Sequence, residues 1–378
     1  MNIFQTLKIK VFRYKSKVLL FLCIVLFTAA CVEPYDFTIK KSKESLVVEG
    51  IISNMSHDST LCYPSDGRYF DVKLSLASNV KNVKNKFVSG ASVILVDNLG
   101  RSWEYREQRD ESIYVLKDDK FHAIEGVEYK LQITISELGD FESDWVSMPN
   151  VKTGEIGEVT FEEKEKLQNL PSGEGLMNVR GINVKIRVPQ NKNEGEKVYY
   201  LWDFDPTWIF IAPLPENGNR ICWVSSEFYA RKYIIYESPR GGYDHELMFL
   251  QTNGNERFLW RFSLLIRQNQ LNRDFYEYLK ELQLQAGESL SDRPPFNLIS
   301  NIHQVEGNTL VSTSGYFSVT KESATRWYFS QRDLSYGLED KYRKDCLDPL
   351  GLGGPICFSC MAYNHGVPSL TAPSWWED

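Results

Sequence analysis

The chain of 378 residues carries 43 Lys plus Arg against 50 Asp plus Glu, a net charge of −7, and 13% of it is aromatic. That balance excludes a nucleic-acid partner, because phosphate binding needs a basic stripe and the release of its counterions. The length suffices for two ordinary domains with large cores.

The chain opens with Lys8, Lys10, Arg13, Lys15 and Lys17, unaccompanied by any acidic residue, ahead of an apolar run from Val18 to Phe27. These are the n-region and h-region of a secretory signal. A bilayer-spanning helix needs roughly 20 apolar residues, so the run is too short to span. Thr28, Ala29 and Ala30 then lead straight into Cys31, which resembles a bacterial lipobox with Thr28 where Leu is more usual. The resemblance implies cleavage before Cys31 and covalent lipid on its sulfur, two or three acyl chains giving a stable tether. The alternative is a soluble secreted protein cut after Ala30. Removal of residues 1–30 leaves 38 Lys plus Arg against 50 Asp plus Glu, a net charge of −12.

Residues 31–44 are polar, carry Pro34 and lack periodicity, as expected of a lipidated tether. Glu33 and Asp36 stand just beyond the lipid, a placement that resembles a cell-surface display signal in Bacteroidota. From residue 45 to about 150, short β-patterned runs follow one another at the spacing of an immunoglobulin-like or transthyretin-like β-sandwich. In YKLQITI, Tyr129, Leu131, Ile133 and Ile135 share one face while Lys130, Gln132 and Thr134 share the other. The segment Asp97–Gly100 tolerates positive φ and predicts a hairpin.

Residues 151–175 are rich in Glu and Gly and predict a linker, after which a second β-rich domain runs over residues 176–378. GINVKIRVP alternates strictly, and RFLWRFSLLIR predicts a strand with Phe258, Trp260, Phe262, Leu264 and Ile266 on one side. The overall expectation is a mainly β chain with two β-sandwich-like domains, the second with one inserted amphipathic helix. That helix, about residues 270–286, carries Leu271, Phe275, Tyr278, Leu279 and Leu282 on one stripe. Trp208, Phe210 and Ile211 lie between prolines and are a candidate contact surface, with a core strand as the alternative.

Five cysteines remain after Cys31. Cys346, Cys357 and Cys360 with His365 offer the ligand types of a zinc site. In an exported protein, disulfides among Cys222, Cys346, Cys357 and Cys360 are the first expectation, zinc a minor alternative. Cys62, in the polar loop HDSTLCYPSDG, is the expected free thiol. The chain has no GxSxG elbow and no phosphate-binding loop, and its five histidines do not repeat at ligand spacing, so no catalytic or metal residue is assigned.

The strings LVVEG (46–50), SGASVILVDNLG (89–100), GVEYKLQI (126–133), VYYLW (198–202), the FYEYLKEL helix, PPFNLISNI (294–302) and GYFSV (315–319) occur in an order that resembles a Bacteroidota lipoprotein family, domain of unknown function 4249. Ser300 departs from the family, where Gly is more common. The resemblance implies a partner in the outer membrane, a TonB-dependent receptor, and a non-catalytic accessory role in nutrient uptake. The alternative is a surface hydrolase of glycans or peptides with unidentified carboxylates.

Overall fold

A computed structural model describes residues 45–77, 86–150, 155–169, 175–191, 196–214, 218–226, 229–230, 233–287, 298–306, 311–348 and 354–377. Residues 1–44, which hold the expected signal segment, Cys31 and the expected tether, lie outside the described residues. The chain is mainly β. Its first strands are β1 (Ser45–Ser53), β2 (Phe70–Ala77), β3 (Lys86–Phe87), β4 (Ser92–Asp97), β5 (Ser102–Gln108), β6 (Ile113–Leu116), β7 (Glu128–Ile135), β8 (Gly139–Ser143) and β9 (Val146–Ser147), with the short helix α1 (His57–Thr60) after β1. Then come β10 (Val159–Asn169), β11 (Leu176–Arg187), β12 (Val198–Ile211), β13 (Ile221–Ser225), β14 (Ile234–Ser238), β15 (Asp244–Gln251) and β16 (Phe262–Leu271). Helix α2 (Arg273–Gly287) precedes β17 (Ile302–Glu306) and β18 (Ser312–Phe329), and α3 (Lys341–Cys346) precedes β19 (Val367–Ser369).

The alternating runs behave as their period requires. Tyr129, Leu131, Ile133 and Ile135 of β7 are buried, and join Val93 and Leu95 of β4 and Leu46, Val48 and Ile52 of β1 in a first core. The predicted hairpin joins β4 to β5: Gly100 takes φ +84°, and Asp97 Oδ1 accepts from the backbone N–H of Leu99 at 3.1 Å and of Arg101 at 2.8 Å. A second core forms where Ile182, Val184 and Ile186 of β11 meet Tyr200 and Trp202 of β12 and Leu264 and Ile266 of β16. Two sheets meet here, since β11 belongs to a three-stranded sheet, β10–β11–β15, separate from the larger one. The stripe on α2 is present in Phe275, Tyr278 and Leu279, which are buried, and Leu282, which is partly so, whereas Leu271, expected on it, ends β16 and packs against the helix with Leu201. Ile51 of β1 and Tyr316 of β18 pack on the same cluster, so α2 covers the place where the halves of the chain meet.

Three expectations are corrected. The segment expected as a linker holds the eleven-residue strand β10, whose EEKEK charges line a sheet edge and discourage further pairing there. RFLWRFSLLIR is not one strand: Glu256–Phe258 form a 3₁₀ turn, β16 starts only at Phe262, and Trp260 is 44% exposed. Two separable domains are replaced by two cores inside one compact unit, Lys43–Asp378. The cause is β18, which pairs in parallel with β1 through Thr320 and antiparallel with β16 through the rest of its length. Ile302, Phe317 and Val319 accordingly belong to the first core.

Gly315 makes this crossing feasible. It takes φ +97°, and an added Cβ would sit 2.0 Å from the Val48 carbonyl oxygen. Its own carbonyl accepts from Ser300 Oγ at 2.9 Å. Gly315→Ala is expected to destabilise the fold by about 3 kcal/mol or more, from strain and main-chain overlap together. Urea denaturation measures it, and a midpoint like that of the parent would contradict the close β1–β18 pairing.

Candidate functional site

The tail is braced from two directions. Cys222 of β13 is bonded to Cys360, 138 residues on, and Cys346 of α3 is bonded to Cys357. Cys62 is free and exposed, as expected. The disulfides expected among Cys222, Cys346, Cys357 and Cys360 are thus present as two bonds, one long-range and one local. Main-chain bonds support the same docking: Cys360 N–H donates to the Asn219 carbonyl at 2.9 Å, and Leu214 N–H to the Cys357 carbonyl at 2.8 Å. At the terminus, Trp375 lies 3.5 Å from the Arg326 guanidinium and donates from Nε1 to Asp66 at 2.9 Å, while Trp376 meets Tyr328 edge to face. These aromatics cap the fold.

The candidate contact surface at Trp208, Phe210 and Ile211 is corrected. All three belong to β12, a strand with large sheet neighbours on both sides, so alternate residues must point in opposite directions. Trp208 and Phe210 point into the second core and are buried, Phe210 lying 4.5 Å from the Tyr363 ring of the braced tail. Ile211, with Ile209, is on the other face and only partly covered.

Trp208 instead underlies a cleft of about 710 Å³, lined by Tyr229, Ile234, Leu247, Phe249, Asn255 and Arg257 among others. Its polar floor is built by the turn after β15. Gly254 takes φ +68°, and Asn255 caps the 3₁₀ turn that carries Arg257. The Arg257 guanidinium sits 4.9 Å from the Trp208 ring and 4.4 Å from the Tyr229 ring. A desolvated contact of this kind contributes about 2 kcal/mol. Nη1 donates to Asn255 Oδ1 at 3.2 Å and pairs with Glu256 at 3.3 Å, whereas Nε is buried with no hydrogen-bond partner among the described residues. Asn255 Nδ2 donates in turn to the Tyr229 hydroxyl at 3.2 Å and to the Gln251 carbonyl at 2.8 Å. Burial pushes the Tyr229 phenol up, opposed by the Asn255 hydrogen bond, so it stays neutral at physiological pH. The arrangement is an apolar and aromatic hollow over one fixed cation, chemistry that retains an amphiphilic ligand bearing an acceptor or anionic group.

Arg257, Tyr229 and Asn255 are not among the residues picked out by sequence. The Asn253-Gly254-Asn255 turn was the available signal, but reading the following aromatic run as a strand concealed the turn and placed Arg257 outside any site. His245, which begins an HELMF string, is in β15 between the rings of Tyr236 at 3.9 Å and Trp202 at 5.4 Å, and burial lowers its pKa.

A second cleft, about 530 Å³, holds two carboxylates, Glu155 and Glu322, with Tyr63, Gln268 and Lys321. Glu322 Oε2 accepts from Arg68 and, at 2.6 Å, from Ser53 Oγ, and the Glu322 backbone N–H donates to Asn54 Oδ1 at 2.6 Å. These bonds tie the loop after β1 to β18, a structural use for that carboxylate. Burial and the charges of Glu322 and Glu155 push the Tyr63 phenol up to about 12.

No curated protein and no solved structure matches the chain. A family model does match, over residues 32–326, which reach from ahead of β1 into β18 and include the residues that line the cleft at Arg257. On that match, the chain belongs to the family described as domain of unknown function (DUF4249).

Proposed function

We infer that the protein is a non-catalytic binding component, anchored to the outer membrane by lipid on Cys31, displayed on the cell surface and working beside a TonB-dependent receptor in nutrient uptake. The observation that carries the binding role is the cleft at Arg257, where one buried cation lies beneath an apolar and aromatic hollow with a donor still unpaired. The disulfides agree with export, since such bonds persist in oxidising compartments. The lipobox-like run into Cys31 supplies the anchor, and anchoring raises the effective concentration of the protein near any receptor in the same membrane.

The test is chemical crosslinking in intact cells followed by purification from detergent-solubilised outer membrane. The parent chain is expected to bring down a TonB-dependent receptor, and Cys31→Ser to lose both membrane association and the receptor. Recovery of no receptor, together with cleavage of a glycan or peptide panel by the purified protein, would replace this reading with the hydrolase.

A further inference from the structure

The face of β12 opposite the second core carries a groove of its own. Ile209 and Ile211 of β12 lie across from Trp223 and Ile221 of β13 in register, and Trp260 walls the hollow, which measures about 470 Å³. Ile221 is 39% exposed and Trp260 44% exposed, so large apolar side chains face solvent together here rather than singly. At the rim stand Arg261 and Arg332. The arginines inside the fold, Arg257, Arg267 and Arg326, each have a carboxylate partner. Arg261 and Arg332 have none among the described residues, and Arg261 only lies over the Tyr328 ring at 4.6 Å. Two further donors, Arg261 Nε and Trp223 Nε1, are buried with no acceptor among the described residues. On a chain of net charge −7, these two arginines stand at the edge of an apolar floor, and the neighbouring Asp333 carboxylate is engaged by Ser330 rather than by either of them.

We propose that this groove docks an extended peptide segment of a partner protein, one that places an aliphatic or aromatic side chain on the isoleucine floor and carboxylates against Arg261 and Arg332. Charge complementarity selects the acidic flanks, and the unpaired indole and guanidinium donors suit peptide carbonyls and carboxylates. Shape selects a peptide over a lipid surface. A bilayer meets a protein along a flat or convex face, whereas a hollow of about 470 Å³ takes up individual side chains. The proposal deepens the binding reading and rests on it only in taking the partner to be a protein; the cleft at Arg257 is not involved.

The experiment is fluorescence anisotropy with the full chain in detergent and a labelled heptapeptide whose Leu-Trp-Leu centre is flanked on each side by two glutamates. Saturable binding is expected, weakened at least tenfold in Arg332→Glu and in Ile221→Asp and lost when lysines replace the glutamates. Both substitutions are at exposed positions, and unchanged melting temperatures verify that the variants are folded. Absence of saturable binding, or equal affinity in the variants, overturns the proposal. Sedimentation with phosphatidylglycerol vesicles that depends on the same two residues overturns it as well, in favour of a lipid-facing surface. Because the assay needs neither receptor nor anchor, its failure is distinguishable from failure of the crosslinking experiment.

Discussion

Replacing Cys222 and Cys360 together with alanine is expected to lower the unfolding free energy by about 5 kcal/mol, the chain-entropy value for so long a loop. The bond closes a sequence separation of 138 residues, whereas Cys346–Cys357 closes 11 and is expected to contribute about 3 kcal/mol by the same relation. Denaturant titration of the two double variants, with and without reductant, checks both the order and the size. The longer bond also sets the site. It fixes Cys360 and, three residues on, Tyr363, whose ring is 6.2 Å from Trp208 and whose hydroxyl donates to Glu256, the partner of Arg257. Loss of the bond should therefore expose the tail to protease and loosen the floor of the cleft together. Equal stability losses from the two pairs would contradict the loop-length argument. A tail still protected after reduction would show that the main-chain contacts to Asn219 and Leu214 suffice alone.

Trp208→Ala separates a core role from a surface role. Trp208 is fully buried in the second core, so truncation should cost about 3 to 5 kcal/mol through lost burial and the cavity left behind. It also removes one of the two rings that hold the Arg257 guanidinium. Ile211→Ala, on the partly covered face of the same strand, should cost only about 1 kcal/mol. Thermal and urea denaturation of the two variants, side by side, gives the comparison. A Trp208→Ala protein of parental stability that failed to bind its partner would restore the contact-surface reading.

Period-2 patterns made much of the mainly β fold legible in advance. The inward set of β7, Tyr129 to Ile135, and the inward set of β11, Ile182 to Ile186, are written in the alternation of each strand, because a half-buried strand needs only its own residues to define two faces. The α2 stripe is legible for the same reason at 3.6 periodicity. Cysteine chemistry likewise needs only composition and compartment to predict bonding among Cys222, Cys346, Cys357 and Cys360. Which face of β12 turns inward is a different kind of question. Trp208, Phe210, Ile209 and Ile211 are all large and apolar, so the alternation carries no contrast, and the choice falls to β11, β16 and the braced tail. The union of the halves is equally non-local: β1 pairs with β18 from Ser45 opposite Ser312 onward, and no window along the chain contains both. The cleft at Arg257 assembles a turn, an edge strand and a core tryptophan that are distant in sequence. The Arg257 cation meets two ring faces besides its chain neighbours Asn255 and Glu256, and only folding brings those rings within 5 Å of it.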